Sequence, residues 1–123
     1  MPNILVADDS PTMRRMVIAS LQSLPNVHFE EASSGLEAIE RLALAPVHLI
    51  VLDLNMPDIH GLEVLHFTRR HEVFRSIPVI VLTTKGDEAS RAEALSAGAA
   101  IYITKPFEPH LLAQYARDLL ETA

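Results

Sequence analysis

The chain has no cysteine, which excludes disulfides and thiolate metal sites. It has no apolar run long enough to span a bilayer, so a membrane helix is not expected. Basic residues are few: ten Lys and Arg stand against sixteen Asp and Glu, and the net charge of −6 argues against a nucleic-acid surface. The basic pairs Arg14-Arg15 and Arg69-Arg70 are interpreted as solvated helix faces. The start, MPNILVADD, carries no signal-peptide pattern, so a cytoplasmic location is expected.

What the chain does contain is a regular alternation of five short strand-like runs with five stretches of helical spacing. This alternation predicts a parallel sheet covered by helices on both faces. The second and fifth runs carry polar or small residues, as edge strands do, whereas the other three are apolar throughout. These features favour a flavodoxin-like (βα)5 three-layer α/β sandwich with strand order 2-1-3-4-5. We expect one domain, covering residues 1–123.

Capping signals predict where several helices begin and end. Ser10-Pro11 is typical of an N-cap followed by proline at the first helical position. The stretch from Ser34 to Glu37 is a capping box that predicts the start of the second helix. Pro25-Asn26 is predicted to end the first helix, and Gly98 to end a fourth helix that starts at about Asp87.

Polar side chains follow four of the strand-like runs at the point where each run ends. Asp8 and Asp9 follow the first run, Asp53 the third, Thr83 the fourth and Lys105 the fifth. Because the carboxyl ends of parallel strands meet at one edge of a sheet, where ligands bind in open α/β folds, we expect these side chains to share a crevice.

The makeup of this crevice predicts phosphoryl chemistry with a divalent cation. Two carboxylates about 4 Å apart repel by roughly 4 kcal/mol at an effective dielectric near 20, so an acidic trio needs a cation. Hard oxygen ligands favour Mg²⁺. Lys105 could pair with Asp53 at rest and later bind a phosphoryl oxygen, and the Thr83 hydroxyl could donate to another. An aspartate is itself a known phosphoryl-accepting nucleophile.

Four motifs together resemble the receiver domain of bacterial two-component response regulators, and single-domain CheY-like proteins most closely. They are ADDSPTMRRMV, LDLNMPDIHGLEVL, IPVIVLTTKG and AGAAIYITKPF. They occur in order, with steps of 44, 30 and 22 residues from Asp9 to Asp53, to Thr83 and to Lys105, and the resemblance covers the whole chain. The family has the strand order 2-1-3-4-5, which the resemblance implies more firmly than strand composition does.

The resemblance implies a role for each acidic residue. Asp53 would be the phosphoacceptor, and a phosphohistidine of a sensor histidine kinase would be the donor. Asp9 and Asp53 would bind Mg²⁺ together with the backbone carbonyl of Asn55, while Asp8 would act nearby or through water.

The resemblance also implies a switch. Lys105 would hold the phosphoryl group, and its bond to Pro106 is commonly cis in the family. Thr83 would move toward a phosphoryl oxygen and Tyr102 would swing inward, remodelling a docking face for a downstream protein on the fourth helix, fifth strand and fifth helix. Lys85 stands at a position that tunes hydrolysis of the acyl phosphate. The implied protein is no enzyme beyond its own phosphotransfer and dephosphorylation, and is a monomer or a weak phosphorylation-dependent dimer.

Other functions fit part of the pattern. A Mg²⁺-dependent phosphatase with an aspartyl nucleophile would need a second aspartate where Asn55 stands, and Asn is no acid. A flavin-binding module needs a phosphate cradle after the first strand, and Asp-Asp-Ser-Pro would repel a phosphate. A scaffold that had lost its switch would not need all five site groups. A relay intermediate that exchanges phosphoryl groups with a histidine-phosphotransfer protein stays open beside a chemotaxis role.

Overall fold

The structure is a computed structural model and describes residues 2–122. Five strands alternate with five helices along the described chain. In order they are β1 (Asn3–Ala7), α1 (Pro11–Leu21), β2 (His28–Ala32), α2 (Gly35–Leu44), β3 (Leu49–Leu52), α3 (Gly61–Arg70), β4 (Val79–Thr83), α4 (Glu88–Ser96), β5 (Ile101–Thr104) and α5 (Pro109–Thr122). This is the predicted alternation.

The strands form one parallel sheet in the order β2-β1-β3-β4-β5, which confirms the predicted topology. Every residue of β3 and β4 is buried, and so are four of the five residues of β1. The edge strand β2 has only Ala32 buried, and the edge strand β5 only Tyr102. Polarity along each strand therefore indicated its place in the sheet, because only central strands are covered on both faces.

Side chains of the sheet alternate between two cores. On one face, Leu5, Ile50 and Val81 pack with buried side chains of α2, α3 and α4. On the other face, Val6, Val51 and Leu82 pack with buried side chains of α1 and α5. Burying one such aliphatic side chain is worth about 1.5–3 kcal/mol, so the two cores together hold the sheet rigidly.

The capping signals act largely as predicted. The Ser10 hydroxyl accepts a hydrogen bond from Met13 N at 3.2 Å, and the Ser34 hydroxyl accepts one from Glu37 N at 3.1 Å. The Asp87 carboxylate caps α4 by accepting from Ser90 N at 3.0 Å. Gly98 follows α4 with a φ of 110°, a left-handed conformation that favours glycine.

The predicted end of the first helix, at Leu24 just before Pro25, is wrong by three residues. The helix ends at Leu21, and Leu24 N donates to the Leu21 carbonyl at 3.1 Å in a turn that leads to Asn26, whose φ is 58°. Leu24 is still buried, because the turn keeps it on the side of the core. Leu24 therefore shows that an apolar residue at helical spacing can be buried without being part of the helix.

Within residues 2–122, no helix combines the length and apolar character needed to cross a bilayer.

Candidate functional site

The backbone places the predicted site residues one position beyond the strands. Asp8 N donates to Ala32 O at 3.0 Å, Asp53 N to Ala7 O at 2.9 Å, and Lys105 N to Thr83 O at 2.8 Å. Each of these bonds continues a strand ladder by one step. The sheet therefore fixes the main chain of all three residues at its carboxyl edge, as their positions after the apolar runs predicted.

The side chains of the acidic residues converge at this edge. Oxygens of Asp8, Asp9 and Asp53 lie within 4.8 Å of one another. Asp8 and Asp53 are buried, at 3% and 6% exposure, whereas Asp9 is exposed. The trio therefore has two inner carboxylates and one outer carboxylate that faces solvent.

Lys105 binds both inner carboxylates. Its Nζ lies 2.7 Å from Asp8 Oδ2 and 3.2 Å from Asp53 Oδ2. The predicted partner was Asp53 alone, but the shorter bond is the one to Asp8. One ammonium group thus bridges the ends of β1 and β3 from the far edge strand β5.

Burial and charge act against each other in this cluster. Burial raises the pKa of the Asp8 carboxyl above its ordinary value, although the hydrogen bond from Lys105 opposes the shift. Burial also disfavours the Lys105 ammonium, but the hydrogen bond to Asp8 and the charge of Asp53 prevail and raise the pKa of Lys105. The lysine therefore stays charged, and the cluster needs further positive charge.

The residues present fit a divalent cation. Three ionised carboxylates and one ammonium leave two negative charges at the site, which a divalent ion would balance. All the side-chain donors are carboxylate oxygens, the hard ligands that Mg²⁺ prefers, and Asp9 is open to solvent on a site that would keep several waters. The side chains alone offer three protein ligands.

The loops beside the cluster are held by the site residues themselves. Asn55 N donates to Asp53 Oδ1 at 3.2 Å, and Asn55 Nδ2 donates to the hydroxyl of Thr84 at 3.4 Å. The first bond orients the Asp53 carboxylate, and the second joins the loop after β3 to the loop after β4.

Thr83 lies at the end of β4, beside Lys105 in the sheet. Its side chain is fully buried, and its hydroxyl accepts a hydrogen bond from Lys85 N at 3.4 Å. The hydroxyl is thus engaged with the main chain of the loop that leads to α4. A change in the hydroxyl's partner would act directly on that loop.

Tyr102 already lies inward in this structure. Only 8% of the residue is exposed, and its hydroxyl donates to the Lys85 carbonyl at 2.5 Å. Burial raises the pKa of the Tyr102 hydroxyl, so it stays a donor. Thr83 and Tyr102 therefore hold the N–H and the C=O of the same residue, Lys85. The Lys105–Pro106 peptide bond is cis.

The interpretation of the arginine pairs as solvated faces is wrong for the first member of each pair. Arg14 donates to the Asp8 carbonyl at 2.7 Å and to Glu31 at 2.8 Å, and Arg69 donates to the Ile77 carbonyl. Arg15 and Arg70 are exposed. Consecutive side chains on a helix point about 100° apart. When two arginines lie at the edge of the buried face of a helix, one of them therefore points toward the protein and the other toward solvent.

Sequence reasoning also missed Asp58, in the loop between β3 and α3. Its φ is 62°, and its carboxylate accepts a hydrogen bond from Gly35 N at 3.1 Å, at the start of α2. The signal was present in the stretch Met56-Pro57-Asp58, because aspartate after proline favours a turn and tolerates a left-handed conformation.

Known proteins resemble this chain over nearly its whole length. The family described as "Response regulator receiver domain" matches residues 4–117. Chemotaxis protein CheY1 of Helicobacter pylori is 40% identical over 120 residues, covering 97% of this chain and 97% of that protein. The chemotaxis protein CheY homolog of Campylobacter jejuni is 38% identical over 97% of this chain and 92% of its own length.

Solved structures also resemble this chain over nearly its whole length. The chemotaxis response regulator CheY4 of Vibrio cholerae has a TM-score of 0.86 at 30% identity, covering 97% of this chain and 98% of that chain. The Mn(2+)-bound form of response regulator Rcp1 has a TM-score of 0.88 at 27% identity, covering 100% and 97%.

The chain belongs to the response regulator receiver domain family. Within that family it is CheY-like, and it is a phosphorylation-dependent signalling switch of two-component and chemotaxis signalling. A switch of this kind works with a sensor histidine kinase and with downstream targets. That residues 1–123 form a single domain stays a prediction.

Proposed function

We propose that Asp53 is the phosphoacceptor of this switch. The observation that carries the proposal is the convergence of Asp8, Asp9, Asp53 and Lys105 at one edge of the sheet, with the lysine bound to both inner carboxylates. Asp53 has one oxygen bound by Asn55 N and the other by Lys105. The carboxylate is thus held in one orientation, which favours attack on a phosphoryl group.

In the proposed transfer, a phosphohistidine of the sensor kinase is the donor. A carboxylate oxygen of Asp53 forms a bond to phosphorus as the bond from phosphorus to the histidine nitrogen breaks. Lys105 then binds a phosphoryl oxygen. The negative charge of that oxygen partly replaces the charge of the Asp53 carboxylate as the partner of the ammonium group. The buried Thr83 hydroxyl turns from Lys85 N toward another phosphoryl oxygen.

We propose Mg²⁺ as the cofactor, held by Asp8, Asp9, Asp53 and the backbone carbonyl of Asn55. When bound, it would neutralise charge that develops on the phosphoryl oxygens. The Mn(2+)-bound form of Rcp1 supports a divalent cation in this fold. Asp8 and Asp9 supply the negative charge that attracts the ion, and Lys105 separates the two inner carboxylates in its absence.

Output is proposed to run through the face made by α4, β5 and α5. This face exposes the apolar side chains Leu95 of α4 and Leu111 of α5, at 39% and 46%. The partner is a downstream protein, as for a chemotaxis regulator, and the protein acts in the cytoplasm without turning over a separate substrate. We expect a monomer that at most dimerises weakly when phosphorylated.

The test is labelling with acetyl phosphate and Mg²⁺, followed by mass spectrometry of the intact protein. Wild type should gain one base-labile phosphoryl group, and removal of the metal with EDTA should prevent the gain. Asp53→Asn should gain none. Asp118→Asn, which changes an exposed aspartate of α5, is the matched control and should be labelled like wild type. Labelling of Asp53→Asn at the wild-type level would overturn the assignment.

A role as a phosphorelay intermediate would give a different result once the protein has been labelled. After labelling, transfer of the phosphoryl group to a histidine-phosphotransfer domain would favour a phosphorelay intermediate. Hydrolysis without transfer would favour the chemotaxis role, which the likeness to CheY1 supports. Steady turnover of a generic phosphomonoester would instead favour the phosphatase.

A further inference from the structure

Tyr102 closes the loop between β4 and α4. Its ring packs in the core that α2, α3 and α4 cover, and its hydroxyl donates to the Lys85 carbonyl at 2.5 Å. A switch tyrosine of the kind proposed above moves between an inward and an outward position. Residues that contact the inward ring therefore influence the balance between the two positions.

Arg91 of α4 makes two contacts with the same residue. Its guanidinium carbon lies 5.8 Å from the centroid of the Tyr102 ring, within the range of a cation–π interaction. Its Nη1 also donates to the Tyr102 backbone carbonyl at 3.3 Å. Arg91 is an exposed residue, and among residues 2–122 no carboxylate lies within salt-bridge distance of it, so no ion pair competes with its contact to the tyrosine.

The rest of α4 offers little to hold the helix in this place. Its one buried side chain is Ala94, and Leu95 is 39% exposed. The contacts of Arg91 thus join α4 to β5 where apolar packing is thin. A small change in these contacts shifts the equilibrium between the two tyrosine positions, because such an equilibrium is set by differences between states.

We propose that Arg91 is a positioning residue that favours the inward position of Tyr102 through its contact with the ring. The inference rests on the proposed role of Tyr102 as a switch residue. It adds that the balance between the inward and outward positions depends on a residue of α4 as well as on the chemistry at Asp53.

The test uses Tyr102 as its own reporter. The chain has two tyrosines and no tryptophan, so a Tyr115→Phe background leaves Tyr102 as the one tyrosine, which can be excited at wavelengths that phenylalanine does not absorb. Acrylamide, a neutral quencher, measures how far the ring is exposed, and its local concentration does not depend on the charge of Arg91. Quenching is compared between unphosphorylated variants of this background.

Arg91→Ala should raise the outward-to-inward ratio about three- to tenfold, since it removes the cation–π contact that Arg91 makes with the inward ring, and acrylamide quenching should rise accordingly. Arg91→Lys keeps a cation and should restore part of the protection. Arg117→Ala, at an exposed arginine of α5, is the matched control and should leave quenching unchanged. Circular dichroism checks that each variant is folded.

The proposal would be overturned if Arg91→Ala were quenched no more than its parent. It would also be overturned if Arg91→Lys were quenched as much as Arg91→Ala and more than the parent, because the lysine keeps a cation. A failure of the proposed function would be seen in a different measurement, the labelling with acetyl phosphate. If wild type takes no phosphoryl group from acetyl phosphate, Asp53 is not the acceptor, yet quenching of the unphosphorylated proteins still decides what Arg91 does. If both hold, Arg91→Ala should still take its one phosphoryl group at Asp53.

Discussion

The two halves of the sheet edge are built differently. The acceptor half, residues 3–71, carries the acidic trio and rests on α3, four of whose ten residues are buried. The reading half, residues 79–104, carries Thr83 and Tyr102, and α4 buries one residue of nine. Segments with few buried contacts open at a lower free-energy cost than the core does. The acceptor half therefore holds the chemistry in place, while the reading half is free to respond.

The largest expected difference between the halves is in helix packing. Leu65 of α3 is fully buried and Leu95 of α4 is 39% exposed. Leu65→Ala should lower the free energy of unfolding by about 2–5 kcal/mol, because it leaves a cavity in the core. Leu95→Ala is the matched change and should stay within about 1 kcal/mol of wild type. Urea denaturation measures both, and similar losses would mean that α4 is packed as firmly as α3.

Glycines give a second comparison. A Cβ on Gly61 would lie 2.1 Å from the Asp53 carbonyl oxygen, which is backbone that cannot move aside cheaply. A Cβ on Gly86, in the loop before α4, would meet nothing closer than Thr104 Cγ2 at 3.4 Å.

Gly61→Ala should therefore cost about 1–3 kcal/mol of stability and displace Asp53, reducing its labelling by acetyl phosphate. Gly86→Ala should leave both stability and labelling near wild type. Unfolding curves and intact mass are the measurements. A harmless Gly61→Ala would contradict the close contact between α3 and the end of β3.

A smaller effect is expected from Arg14, which holds the carbonyl of the peptide that joins Asp8 to Asp9. This bond fixes how the two carboxylates point relative to each other, and Glu31 offsets the charge of the arginine at 2.8 Å. Arg14→Ala should weaken Mg²⁺ binding about three- to tenfold, the equivalent of one hydrogen bond. Isothermal titration measures the affinity.

Arg15→Ala is the matched control, because Arg15 is the next residue on α1, is exposed and donates to the Thr12 hydroxyl at 3.3 Å. Its Mg²⁺ affinity should equal that of wild type. If both variants bind the metal equally well, the Arg14 bond does not position the acidic pair.

The sequence predicted the acceptor half better than the reading half. Asp8 and Asp53 follow apolar strands whose burial alone sets where they end, so their convergence could be predicted from strand order. The inward position of Tyr102 could not, because it depends on a side-chain torsion, and Arg91, which contacts the ring, lies eleven residues earlier on α4. The role of Arg14 was missed because Arg14 lies on helix α1 while its partner Glu31 lies on strand β2, 17 residues further along the chain.

Hydrogen exchange of wild type before and after labelling with acetyl phosphate and Mg²⁺ tests the central claim most directly. We expect the phosphoryl group to change exchange chiefly in the loop and helix at residues 84–96 and in β5, with the acceptor half nearly unchanged and no change at all in Asp53→Asn. Changes spread evenly over both halves, or the same changes in Asp53→Asn, would contradict a fixed acceptor half that drives a responsive reading half.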